Sequence, residues 1–410
     1  MSQEDPETMN DLEAEPDKSD NDSNKELDEK QDNNNNVSIV TQLIFFLIGL
    51  NILYGYNAFL AGGEFYDGRV KGQKYTNGKD VSISSHIVYV LIITSETCNF
   101  SILPFIERFT LVSRLYFSMT MMAIVQIVVY FYVNFGNPQY YIIYLLAALT
   151  SAAQSVLFGS SMGFAGLFGD KTSALANTGV ALGGLINSLI DLAVSKGFNN
   201  DTKKQGYIYL LFPVIVSIST LTAYHFFSRT ELGQEKLKLA QTSKDFIYRM
   251  KRIKGIFFKI WPFVVEGWLH FCITLTFFPG YMFNSGIFRE LIFCYNVGDF
   301  IGRILTRWFF FPKPKYLWIP HALRLLFIPL IVVSVEVPKF RNGIYMCIMA
   351  FLLAVTTGYF GGLCIVYTAT CEKLATEEID LGVFTTVLAT NLGVFSGVLL
   401  ALLTNYLHKS

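Results

Sequence analysis

Residues 115–169 read LYFSMTMMAIVQIVVYFYVNFGNPQYYIIYLLAALTSAAQSVLFGSSMGFAGLFG, a run of 55 residues without one charged side chain. A helix rises about 1.5 Å per residue and the hydrocarbon core of a bilayer is roughly 30 Å thick, so about 20 apolar residues cross it. The run is long enough for two crossings, and the turn-forming segment NFGNP lies near its middle at 134–138. This stretch therefore predicts two membrane-spanning helices joined by a turn.

The same criterion predicts an all-α polytopic membrane protein with eleven transmembrane helices. Charge-free runs also occupy residues 38–63, 342–371 and 381–407. These runs greatly exceed the ~10 alternating residues of a membrane barrel strand, which favours helices. The predicted spans cover residues 38–61, 83–106, 111–134, 139–168, 173–195, 205–228, 256–280, 290–311, 316–337, 343–370 and 381–407.

The charged residues of the chain are distributed unevenly. Only 16% of all residues are charged, against roughly 25% in soluble domains, and 52% are hydrophobic. Residues 1–36 contain 13 acids and 3 lysines, so the rest of this neutral chain carries a net +10. Such an acidic segment, with few apolar residues, is predicted to be a disordered cytoplasmic tail. The six cysteines lack metal-ligand spacing, and we expect no metal site and no cofactor.

The lysines and arginines between the predicted spans indicate the orientation of the chain. Eight basic residues and three acids lie within residues 229–254, and the side of the membrane that holds this segment carries 18 basic residues against 11. Since positive loops stay in the cytoplasm, the N-terminus is predicted inside and the C-terminus outside. The expected domains are a six-helix bundle at 37–228, a basic cytoplasmic loop at 229–255 and a five-helix bundle at 256–410. Two bundles around a central site are common in secondary transporters.

Six charged residues lie within or near the ends of the predicted spans, where each costs at least about 2.5–3.5 kcal/mol at mid-bilayer. Asp299 and Arg303 are four residues apart and therefore share one helix face. They form either an ion pair that locks two helices together or a clamp for substrate hydroxyls such as those of a ribose. The other four are Glu96, Asp191, Glu266 and Arg324.

The remaining candidates each have two interpretations. Arg324 is expected to pair with a carboxylate or with helix-end carbonyls. Glu96 or Glu266 is either a silent, hydrogen-bonded carboxylic acid or the carrier in proton-coupled transport. The amide of Gln154 suits the edge of a heterocyclic base, or it forms an interhelical hydrogen bond. The aromatic residues of the segment YGYN at 54–57 form either an interfacial belt or a stacking surface for a base.

Several motifs, in chain order, resemble those of the equilibrative nucleoside transporters. The segment CYNVGDFIGR at 294–303 resembles the eighth-span signature of that family. TGVALGG at 178–184 resembles its fifth span, FP at 278–279 its seventh and TGY at 357–359 its tenth. LRLLFIP at 323–329 is also typical. The resemblance covers the body of the chain beyond the acidic segment, and it is greatest to the protozoan-parasite branch.

The resemblance implies an eleven-helix fold in a 6+5 arrangement related to the major facilitator fold. It implies the transport of nucleosides, and sometimes nucleobases, by alternating access. Asp299 and Arg303 would contact the ribose, and Gln154 would contact the base. The first-span residues implied at the same site are Leu53, Tyr56, Asn57 and Leu60.

Two features depart from the pattern of the family. The common Pro-Trp-Asn of the first span is GYN at 55–57 in this chain, and the smaller, hydroxylated ring is expected to alter base preference. The stretch between Gln154 and Gly179 is about four residues longer than is usual in the family, which weakens the match at Gln154.

The substrates implied are purine nucleosides or nucleobases, and the implied location is the plasma membrane. Two other functions stay open from the sequence. The chain could be a transporter of another polar solute, such as a sugar or an amino acid, on a similar helical frame. A membrane-embedded enzyme or receptor would instead need a catalytic or metal constellation, or an outer ligand-binding domain, and the sequence contains neither. The partners expected are the substrate and the lipid bilayer, with protons as an open alternative and no nucleic acid.

Overall fold

Long helices account for most of the described chain. The computed structural model describes residues 37–102, 109–199, 201–239, 246–278, 282, 287–337 and 342–409, and the body that begins at Ser38 forms one compact unit. The predicted acidic tail at 1–36 lies outside the described residues. The helices are α1 Ile39–Ala61, α2 Gly63–Arg69, α3 Ile83–Ile102, α4 Leu111–Phe135, α5 Tyr140–Gly166, α6 Asp170–Gly197, α7 Thr202–Tyr209, α8 Leu211–Phe227, α9 Glu231–Leu239, α10 Phe246–Phe277, α11 Phe288–Leu305, α12 Trp318–Leu323, α13 Phe327–Glu336, α14 Gly343–Ala369 and α15 Ile379–Lys409.

The predicted all-α polytopic membrane fold is confirmed. Within the described residues, nine helical segments are long and apolar enough to cross a membrane. The two other predicted spans coincide with α3 and α11, which are helices of 20 and 18 residues with more polar sequences. Helix α11 carries four charged side chains, and for this reason it is not among the nine segments that are apolar enough to cross a membrane. The chain is therefore a multi-pass membrane protein, and the count of eleven spans stays a prediction.

Polar residues fix the beginnings of several spans. Ser38 accepts a hydrogen bond from the backbone nitrogen of Thr41 at the start of α1, with a length of 3.2 Å. Thr110 caps α4 in the same way, and Asn342 caps α14 through the amide of Ile344 at 2.9 Å. These side chains satisfy backbone donors that have no partner within the helix. The caps explain why these three helices begin close to the predicted positions.

The seventh membrane helix begins earlier than the sequence suggested. Helix α10 starts at Phe246, whereas the predicted span starts at residue 256 and the preceding segment was expected to be loop. Arginine, methionine and lysine in the segment YRMKRIK at 248–254 are good helix formers, so the helix continues beyond its apolar part. The predicted loop at 229–255 also contains the short helix α9.

Glycines let the main helix pairs pack with their backbones in contact. Helix α1 packs along α6, α11 along α14 and α10 along α15. A Cβ at Gly179 of α6 would collide with the carbonyl oxygen of Phe46 in α1, and one at Gly302 of α11 would collide with the carbonyl oxygen of Val355 in α14. The spaced glycines therefore act as close-packing positions, as expected for small residues at membrane helix interfaces.

Four further contacts join the first six predicted spans to the last five. Helix α6 packs against α11 and α14, and α15 packs against α3 and α5. All four run between helices that are remote in sequence. Asp299 and Arg303 lie on α11 and Gln154 lies on α5, so these contacts place the candidate site between the two halves of the chain.

Candidate functional site

A cavity of about 170 Å³ lies where α1, α3, α5 and α6 meet α10, α11 and α15. Every residue that the sequence marked as a substrate contact is in its lining, although the seven come from three different helices. These residues are Leu53, Tyr56, Asn57, Leu60, Gln154, Asp299 and Arg303. The structure thus brings the predicted set to one place, while the role of each residue in binding stays a prediction.

The acid–base pair of α11 is intact and faces the cavity. The Nε atom of Arg303 donates to Oδ2 of Asp299 at 2.9 Å, as the four-residue spacing predicts. Only 8% of Asp299 and 7% of Arg303 is exposed, and both line the cavity. The second carboxylate oxygen of Asp299, Oδ1, is buried and has no hydrogen-bond partner among the described residues. A buried acceptor in this state favours a ligand that brings a donor.

The pair is also tied to the other half of the protein. The Nη1 atom of Arg303 donates to Oδ1 of Asn177 in α6, and Thr178 of α6 donates through its hydroxyl to the Arg303 carbonyl at 3.4 Å. Three residues before Asp299 in α11, the Asn296 amide donates to the carbonyl of Gly184 in α6 at 3.1 Å. The pair therefore has features of both interpretations made from the sequence, a link between helices and a clamp for a substrate. Arg303 links helices and lines the cavity at the same time.

Two aromatic rings of the cavity lining were not among the residues predicted from the sequence. Phe278 and Tyr295 stack with their ring centres 4.1 Å apart and their planes 3° from parallel, and both line the cavity. Tyr295 precedes Asn296 in the eighth-span motif, so its position in that motif could have indicated that it lines the site. The stack offers a surface suited to the face of a planar ligand.

Helices α3 and α5 contribute three polar residues to the lining, Ser95, Glu96 and Gln154. The hydroxyl of Ser95 donates to Oε1 of Gln154 at 3.5 Å, which leaves the Gln154 amide nitrogen as a donor. Glu96 lies beside Ser95 in the lining, with 3% of its surface exposed. Glu266 of α10, the other glutamate considered from the sequence, is not part of the lining.

Among the described residues, Arg324 has no carboxylate partner. Its Nη2 atom donates to the hydroxyls of Thr274 at 2.6 Å and Thr357 at 3.1 Å, and its Nη1 atom donates to the Thr356 hydroxyl and the Leu353 carbonyl. Leu353 lies in the interior of α14, so this carbonyl is not a helix-end carbonyl, and threonine hydroxyls take the place of the expected acid. Arg324 is buried within the last five predicted spans and outside the cavity lining.

Ion pairs between the two halves flank the cavity at opposite ends. At the end where α1 finishes and α11 starts, Arg289 of α11 lies 2.9 Å from Asp191 of α6 and 3.0 Å from Glu64 of α2. At the end where α4 and α15 start, Arg114 and Asp380 are 4.0 Å apart. Both sets connect a helix of the first six predicted spans to one of the last five.

Comparisons with known proteins agree with this arrangement. A profile of the family described as nucleoside transporters matches residues 228–406. The chain is 23% identical to the equilibrative nucleotide transporter 8 of Arabidopsis thaliana over 380 residues, which are 87% of this chain and 93% of the plant protein. It is 25% identical to the nucleoside transporter 1 of Plasmodium vivax over 64% of this chain and 67% of that protein.

The chain is similar to equilibrative nucleoside and nucleotide transporters along most of its length. The family resemblance read from the motifs is thereby confirmed, and the family is one of transporters rather than enzymes. The fold agrees with the major facilitator expectation. The proton:xylose symporter XylE of the major facilitator superfamily superposes with a TM-score of 0.59 at 14% identity, over 90% of this chain and 88% of the symporter. The similar proteins include both plant and protozoan transporters, so the assignment to the protozoan-parasite branch stays a prediction.

Proposed function

We propose that this chain is a member of the equilibrative nucleoside transporter family and carries purine nucleosides through the central cavity by alternating access. The observation that supports this most directly is the Asp299–Arg303 pair. It lines the cavity with an unsatisfied carboxylate oxygen, and Arg303 also bonds to the facing half of the protein. A solute that binds to this pair would contact the interface between the two halves, which move relative to each other during the cycle.

A nucleoside matches the walls of the cavity chemically. A ribose hydroxyl can donate to Oδ1 of Asp299, and a neighbouring hydroxyl can accept from the Arg303 guanidinium. The purine face suits the Phe278–Tyr295 stack, and its edge suits the amide of Gln154. A nucleobase has no ribose and forgoes the contacts to the pair, so we propose that it is carried less well than the nucleoside.

The ion pairs at the two ends supply the gates of such a cycle. Opening one end requires the halves to separate there, and the ion pair at that end must break while the other is kept. Arg289 with Asp191 and Glu64 would close one side, and Arg114 with Asp380 the other. With the N-terminus in the cytoplasm, the Arg289 cluster faces outward and the Arg114 pair faces inward. We place the protein in the plasma membrane, with its C-terminus outside.

Uptake into proteoliposomes tests the proposal. Labelled guanosine, inosine or adenosine should enter, and unlabelled nucleosides should compete, whereas xylose and amino acids at the same concentration should not. Competition by a sugar or an amino acid instead would support the alternative solute classes and contradict the proposal. We propose that the solute gradient alone drives the cycle, so an imposed pH gradient should leave the initial rate unchanged. A rate that rises with the gradient would support coupling through Glu96 or Glu266.

Neutralising the outer ion cluster should favour the state that is open on that side. In a background without the six native cysteines, Leu60→Cys places a thiol in the cavity lining. Arg289→Ala should raise the labelling rate of this thiol by a membrane-impermeant reagent about fivefold or more, because the ion pairs with Asp191 and Glu64 that hold the closed state are lost. Arg307→Ala, an exposed arginine on the same segment, is the matched control and should leave the rate unchanged. Equal labelling of all three proteins would exclude the gate.

A further inference from the structure

Glu96 is a carboxylate of the cavity that forms no ion pair with a basic residue of the described part of the chain. Among the described residues, its one hydrogen bond comes from the Asn99 amide to Oε2 at a long 3.4 Å, and no ion pair includes it. The carboxylate of Asp299, by comparison, is engaged by Arg303 at 2.9 Å. An acid with this much spare acceptor capacity, 3% exposed and facing a ligand cavity, is suited to receive donors from the ligand.

The neighbours of Glu96 fix which ligand edge fits. Oε1 of Gln154 accepts a long hydrogen bond of 3.5 Å from the Ser95 hydroxyl, whereas the amide nitrogen of Gln154, a donor, has no hydrogen bond among the described residues. The wall therefore presents two carboxylate acceptors from Glu96 and a donor from Gln154. The complementary edge has two adjacent N–H donors and one acceptor. Guanine has this pattern, with its 2-amino group and N1–H as donors and O6 as acceptor.

Other purines match the wall less well. Hypoxanthine keeps N1–H and O6 but lacks the 2-amino group, so it loses one of the two bonds to Glu96. Adenine presents N1 as an acceptor, and this lone pair would face the carboxylate. A hydrogen-bonding site discriminates strongly against an analogue that leaves its buried polar groups unpaired.

We propose that Glu96 is a specificity-determining residue that reads the edge of a 2-amino-6-oxopurine, so that the transporter prefers guanosine to inosine and inosine to adenosine. This inference rests on the proposed function, because it requires a nucleoside whose ribose lies at Asp299 and Arg303. It goes further in that it names the base and the side chain that selects it.

The experiment compares how well the three nucleosides compete for transport in wild type and in Glu96→Gln. In wild type, the apparent affinity for guanosine should exceed that for adenosine by about tenfold or more, the discrimination typical of a bidentate base contact. In the same register, a glutamine at 96 can donate through its amide nitrogen to N1 of adenine, whereas that nitrogen opposes one of the two N–H donors of guanine. The variant should therefore lose about tenfold for guanosine and gain for adenosine, which reverses the order. Glu266→Gln makes the same change at a glutamate outside the cavity lining and should preserve the wild-type order.

Several outcomes would overturn the inference. One is a wild-type protein that takes adenosine as well as guanosine, and this result does not depend on the folding of any variant. Another is a Glu96→Gln protein in which all three affinities fall by the same factor, as a structural or proton-coupling role would produce. Failure of the proposed function looks different, because wild type would then transport none of the three nucleosides.

Discussion

Replacing Asp299 or Arg303 by alanine is expected to reduce nucleoside uptake by at least about 100-fold. Hydrogen bonds to charged groups contribute about 1.5–3 kcal/mol each, and every 1.4 kcal/mol changes an affinity tenfold. Each substitution removes a substrate contact and leaves the other member of the pair as a buried, uncompensated charge. Arg303→Ala also removes the bond to Asn177 and with it a link between the two halves. The measurement is the initial rate of labelled inosine uptake, normalised to the amount of protein at the cell surface.

Two controls separate loss of the site from loss of the fold. Arg307→Ala lies one helical turn beyond Arg303 on an exposed position and should transport normally. A nucleobase such as hypoxanthine lacks the ribose, so its residual transport should fall much less than that of inosine in Asp299→Ala. Normal inosine uptake by both alanine variants would remove the pair from the binding site.

The second large effect concerns the helix packing that supports the site. Gly179→Leu is expected to prevent formation of a stable protein, because a side chain at this position would collide with the backbone of α1 at Phe46. Overpacking a well-filled interior costs about 1–3 kcal/mol even where side chains can move, and a backbone neighbour gives way less readily. We expect a large fall in melting temperature and loss of the monodisperse peak in detergent.

Gly197→Leu is the matched control, since it makes the same change in the same helix. Gly197 is exposed and has no atom within 4 Å of an added Cβ, so this variant should melt close to wild type. A Gly179→Leu protein with wild-type stability would show that α1 and α6 do not pack in the described way.

The sequence predicted the helical frame well because span length and charge are local properties. The run at 115–169 does form two helices with its NFGNP turn between them, and the pattern of Asp299 with Arg303 does place both on one face. Helix ends were less predictable. Helix α10 extends to Phe246 because its first residues include good helix formers that a criterion based on apolar runs does not detect.

The partners of the site residues could not be predicted from the sequence, because they depend on contacts between distant parts of the chain. Arg303 finds Asn177 at a separation of 126 residues, and Arg289 finds Asp191 nearly 100 residues away. No periodicity specifies which helices become neighbours. The Phe278–Tyr295 stack could not be predicted for a related reason. Aromatic residues are frequent in this chain, and only the fold determines which two of them stack in the cavity lining.

The proposed function requires the carboxylate of Asp299 to hold the sugar of the solute. Binding of inosine and of its 2′,3′-dideoxy analogue to purified wild type and Asp299→Ala forms a chemical double-mutant cycle. Wild type should bind the dideoxy analogue about 30-fold or more weakly than inosine, given a hydrogen bond to a charged group. The Asp299→Ala protein should bind the two compounds almost equally. If the removal of the hydroxyls weakens binding by the same factor in both proteins, the sugar is held elsewhere and the account is contradicted.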